Sequence, residues 1–160
     1  LKGYLFVHFL LIIKMKIMSN TKNILDKKHL SAEMTKEFLR DHELACQTME
    51  IDDFAQLFLK YDLSFIDDYS EVITSIAESM MDWKKEFRGT ELQKVTRSDS
   101  NCIFCNIGKE VKVYEWFYKH TNASEPTNRI LYSSKIAFYF SLENEKLTDY
   151  GVCNAYRDKF

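Results

Sequence analysis

Between Leu30 and Gly89 apolar residues recur with the 3.6-residue period of a helix, and beyond about Val95 they alternate as they do in strands. Met34, Phe38, Ala45 and Met49 form one stripe, with Leu39, His42 and Cys46 on the stripe beside it, which predicts a first helix beginning just after Leu30. Ser31 is placed to cap it, because a serine oxygen accepts from the unpaired amides of a first turn. Glu33 sits where the helix dipole favours a carboxylate. Phe54, Leu57, Phe58 and Tyr61 predict a short second helix, started at Asp52 and Asp53 and ended by Asp62-Leu63-Ser64. Val72, Ile73, Ile76, Ala77, Met80, Trp83 and Phe87 give a third helix a broad apolar face. Asp67, Asp68 or Ser70 can cap it, and Gly89 is a natural stop.

The character changes after Val95. Thr96 to Asn101 reads as a polar connector, and Val111 to Tyr118 as a strand. Ile136, Phe138, Phe140 and Leu142 mark one face of another strand, with Ala137 and Tyr139 on the reverse. Glu143-Asn144-Glu145 makes a short hairpin connection into Lys146–Val152. Pro126 places the stretch from Lys119 to Asn128 off the sheet. The expected fold is α+β: an N-terminal three-helix segment packed with a small C-terminal antiparallel β-sheet of three or four strands. Four stretches follow: 1–18, an apolar leader or mis-assigned start; 19–29, a polar, lysine-rich lead-in; 30–95, the helical segment; and 96–160, a cysteine-bearing β-module.

Charge narrows the partners. Residues 19–95 hold 10 basic and 16 acidic side chains, a balance of −6, whereas residues 96–160 hold nine and eight. An acidic helical half repels phosphate backbones, so no nucleic-acid partner is expected. The apolar run Tyr4–Ile13 is shorter than the about 20 residues a membrane helix needs, and Lys14 and Lys16 follow it in place of a signal-peptide cleavage site. With Met15 and Met18 just downstream of an initial Leu, the expected start is one of these methionines and the expected compartment is cytoplasmic. A secreted or membrane-tethered protein is the alternative if residues 1–18 are genuine. In a reducing cytosol, paired cysteines favour metal over disulfide.

Cys102-Ile103-Phe104-Cys105, with Gly108 after it, has the spacing of a zinc knuckle. A C-x2-C turn aims two thiolates into one tetrahedral site, and a glycine lets backbone amides approach sulfur. Cys153 is the third candidate ligand and His120 the fourth, with Asp149, His42 or Cys46 as alternatives for that last place. Strand parity bears on Cys153. Three antiparallel strands after Cys105 would carry it away from the pair, and four, divided by a turn at Ser133-Ser134, would bring it back. The alternative to metal is a set of buried thiols packing as small hydrophobes.

Residues 101–115, with Asn101-Cys102-Ile103-Phe104-Cys105-Asn106-Ile107 and Val113-Tyr114-Glu115, resemble the N-terminal segment of the histidine-triad nucleotide hydrolases. The defining His-x-His-x-His motif of that family is absent, His120 being the only histidine after the pair, so no nucleotidyl-transfer residue carries over. His42 and Cys46 stand one helical turn apart, as in the H-E-x-x-H zinc helix with Cys for the second His. That replacement argues against a hydrolytic zinc, and core packing is the plainer use of both. The aromatic series Tyr114, Trp116, Tyr118, Tyr132 and Tyr139 belongs beneath the helices, since base stacking also needs a basic groove.

The expectation is a small non-catalytic binding or adaptor protein with a structural zinc ion, its partner another protein. A metal- or thiol-dependent enzyme using Cys102, Cys105, Cys153 and His120 is the second reading, and a plain globular protein without metal the third.

Overall fold

A computed structural model describes residues 29–48, 50–100, 109–120 and 132–153. Met49, Cys102, Cys105, Gly108, Pro126 and all of residues 1–28 lie outside that set. Among these residues, three helices, α1 (Ala32–Thr48), α2 (Ile51–Lys60) and α3 (Tyr69–Glu86), precede four strands, β1 (Thr90–Ser100), β2 (Lys109–His120), β3 (Tyr132–Glu143) and β4 (Lys146–Val152). The strands form one antiparallel sheet in the order β1-β2-β3-β4, so each pairs with its neighbour in sequence. The α+β class and the order of helices before sheet agree with the hydrophobic pattern.

Local chemistry accounts for the helix ends. Ser31 Oγ accepts the Met34 amide at 3.2 Å and its carbonyl accepts the Thr35 amide at 2.8 Å, which starts α1. Asp68 occupies the N-cap of α3 in a left-handed conformation, φ 57°, without a side-chain cap bond. Gly89, at φ +79°, ends the run that follows α3, a backbone angle that costs glycine little. Asn144 and Glu145 both take positive φ between the paired Glu143 and Lys146. This is the two-residue hairpin turn whose twist matches that of the strands.

Alternation then decides which face is covered. Tyr114, Trp116, Ile136, Phe138, Phe140 and Tyr150 join Phe38, Phe54, Leu57, Phe58, Ile73 and Ile76 in one buried core, so the helices pack on that face. Phe38 is its hub, meeting Tyr61 and Tyr150 edge-on with ring centres 5.3 Å away in both pairs. On the reverse face Val111, Ala137 and Cys153 are buried, with Val113 and Tyr139 against them.

Two expectations are corrected. Thr96 to Ser100 is not a connector but the second half of β1, so the change of character after Val95 falls inside a strand. Ser133 and Ser134 form no turn; they pair with Phe117 and Trp116 inside β3. The sheet reaches four strands through β1, and among the described residues three strands, not four, follow Cys105.

Candidate functional site

α1 lays three residues, His42, Glu43 and Cys46, against β2 and β4, and they organise a polar seam through the core. His42 is 1% exposed, and its Nε2 lies 2.8 Å from the Tyr150 hydroxyl. The Tyr150 hydroxyl has no other hydrogen-bond partner among the described residues, so its O–H donates to Nε2. Nδ1 then carries the proton and faces the Cys46 sulfur at 3.7 Å. Beyond Cys46, the Tyr114 hydroxyl donates to Glu43 Oε2 at 3.3 Å, and Arg97 Nη1 closes on the same oxygen at 2.5 Å. The seam thus runs from a half-exposed ion pair inward to a sealed imidazole.

The surroundings fix the protonation states. Phe38, Phe54, Tyr114, Phe138, Phe140 and Tyr150 ring the imidazole, the closest being Phe138 with ring centres 4.6 Å apart. Burial, with a smaller push from the Lys112 charge, lowers the His42 pKa from 6.5 to about 3. Burial also raises the Cys46 thiol well above its ordinary value, and the Glu43 charge adds to this. Burial likewise raises Tyr150 and Tyr114. A thiol and a neutral imidazole are the unreactive partners of a Cys–His pair, because the nucleophile is the thiolate. Fully buried as well, the pair acts as packing and hydrogen bonding, which agrees with core use of His42 and Cys46 and leaves neither available to complete a zinc site.

One bond links this seam to the end of α1. The Trp116 indole N–H donates to the Cys46 carbonyl at 2.6 Å. That carbonyl lies in the last turn of α1, where helix carbonyls lack partners of their own, and the side chain of β2 supplies it with a donor. At the other end Leu30 donates its amide to the Leu147 carbonyl at 3.0 Å, and Leu147 donates its own to Thr35 Oγ1 at 2.9 Å.

The candidate metal ligands are dispersed where they are described. Cys102 and Cys105 lie outside the described residues, in the connection from Ser100 to Lys109. His120 closes β2 at its far end, about 36 Å along the strand from Lys109, with Nε2 3.2 Å from the Tyr132 hydroxyl. Cys105 precedes Lys109 by four residues, a reach of at most about 14 Å, so His120 does not complete a site with the cysteine pair. Cys153 donates its amide to Ala137 at 2.7 Å, which sets it level with Val113, roughly 13 Å along the sheet from Lys109 and two strands across. β4 runs away from the Lys109 end, the outcome that three strands impose. Asp149 is a carboxylate at that end, with Oδ2 3.0 Å from Lys109 Nζ. Among the described residues no group of three or more His, Cys, Asp and Glu side chains is arranged to hold a metal ion.

Sequence reasoning singled out His42 and Cys46 but missed Tyr150 and Trp116 as their partners. These lie 108 and 70 residues away in the chain, and no local pattern marks the pairing. Among the described residues no helix is long and apolar enough to cross a membrane. The chain matches no known family model, no curated protein and no solved structure.

Proposed function

We propose that this chain is a small non-catalytic binding protein, an adaptor for another protein, with a structural zinc ion held by Cys102 and Cys105 in its β-module. The observation that carries the non-catalytic reading is the state of His42 and Cys46. The described residues bring a thiol and an imidazole together here, and the fold keeps both neutral and dry.

The zinc reading rests on the C-x2-C spacing and on where it falls. β1 and β2 pair out to Ser100 and Val111, and in sequence the two cysteines fall between these bonded positions. Asp149, at the Lys109 end of the sheet, is the proposed third ligand, whereas Cys153 stands four residues further along the chain, about 13 Å away, too far to share an ion with it.

For the partner, the helical surface is the better-supported face. Asp52, Asp53, Asp67, Glu71, Glu78, Asp82 and Glu86 are all exposed there, which suits a basic protein surface. The outer edge of β1 is less suited to strand addition, because Glu91, Lys94, Arg97 and Asp99 and a bulge between Leu92 and Lys94 deter edge pairing.

Elemental analysis of purified protein, with Cys102→Ser as the control, tests the zinc. The expected result is one equivalent of zinc that the variant loses, with chelation reducing sheet content by far-UV circular dichroism. Metal-free protein whose stability is unchanged by Cys102→Ser would sink the zinc reading.

A further inference from the structure

The imidazole at the centre of the core has a hydrogen-bond partner on each nitrogen and, among the described residues, no counter-charge. From α1 it faces Cys46, and Glu43 one step further out, whose carboxylate is committed to Arg97 of β1 and to Tyr114. From β2 it faces Tyr114 and, along the sheet, the Lys112 ammonium, which repels a second positive charge. β4 contributes Tyr150, behind which stands Tyr69 at the start of α3. β3 and α2 contribute only the rings of Phe138, Phe140 and Phe54. An imidazolium in this cage would be a buried charge without an acidic partner, which is among the costliest arrangements a core can hold.

We propose that protonation of His42 frees α1, together with α2, from the sheet, so that the seating of the helical layer is an acid-sensitive switch. The sheet has means of surviving the release. The β2–β3 ladder runs over ten paired positions without His42, and α3 keeps its own hold, Trp83 against Trp116 at 5.5 Å and Phe87 stacked on Tyr118 at 4.6 Å. The sign follows from the ring being neutral when seated and ordinary when released. The seated state is fully favoured above pH 6.5, and that preference is lost as the pH falls from 6.5 toward about 3. A released imidazole with the ordinary pKa makes opening roughly 30-fold more frequent at about pH 5 than at about pH 7.5.

Hydrogen exchange, corrected for the pH dependence of the intrinsic rates, reads this directly on the full chain. The expected result is a loss of protection of that size in α1 between the two pH values, with β2 and β3 amides unchanged. The double variant His42→Phe/Tyr150→Phe, which removes the proton site without stranding the tyrosine hydroxyl, should be insensitive to pH. Equal α1 protection at both pH values, loss shared by every element, or a pH response retained in the double variant would each overturn the proposal. If the variant does not fold, the ring nitrogens of wild-type His42 give the answer by NMR. A ring that titrates near its ordinary value while α1 stays protected also overturns it.

Discussion

Replacing Trp116 with Phe removes one hydrogen-bond donor and part of one ring at the place where β2 finishes α1. Trp116 is fully buried, stacked on Tyr114 at 6.0 Å and tilted against Trp83 at 5.5 Å, and its indole donates to the Cys46 carbonyl. In the variant that buried carbonyl loses its indole donor, a loss of about 1–3 kcal/mol. The smaller ring forfeits buried area and leaves a void, worth roughly another 1–2 kcal/mol. The expected destabilisation is therefore about 3 kcal/mol, and for a chain of this size a melting temperature lower by roughly 6–12 °C. Urea denaturation followed by far-UV circular dichroism measures it, with Trp83→Phe as the control. Trp83 is only half-buried and shares the same stack, so its variant should lose about 1 kcal/mol or less. Equal losses in the two variants would mean that the Cys46 carbonyl does not depend on Trp116, and the account of how α1 ends would be wrong.

Thr35→Val strips the Leu147 amide of its buried acceptor and should cost about 1–3 kcal/mol, whereas Thr35→Ser, which keeps the oxygen, should cost markedly less; chemical denaturation of the pair separates hydrogen bond from packing. Gly151→Ala would set a Cβ 2.6 Å from the Tyr139 hydroxyl, so overpacking of about 1–3 kcal/mol is expected. The same change in a Tyr139→Leu background should cost much less, and thermal melts of the double-mutant cycle show whether it does.

Much of the architecture can be read from residue order, and the exceptions have physical causes. The helical periods around Phe54–Tyr61 and Val72–Phe87 are local and strong, and both elements form as expected. The Glu143–Lys146 reversal is equally legible, because two strong alternating runs flank a two-residue gap. β1 is hidden for a specific reason. Its two larger apolar residues, Leu92 and Val95, are three apart, and only the bulge between Leu92 and Lys94 puts both on the core face. Without that extra residue the alternation disappears and the strand reads as a polar connector. The site divides in the same manner. His42 and Cys46 stand out as a pair on one helical face, but what they do is set by Tyr150 and Trp116, which only tertiary packing brings near. The placing of Cys153 and Asp149 likewise depended on the number of strands after Cys105, which turned on recognising β1.

The attachment of Leu30 and Thr35 to Leu147 has a temporal consequence. As the chain leaves the ribosome, α1 emerges well before the backbone groups and the tyrosine that anchor it. Phe38 and His42 therefore wait for more than a hundred residues of synthesis before their cage can close. During that interval the nascent helical layer offers an aromatic surface that chaperones can hold, and a truncation before Leu147 would leave it permanently uncovered.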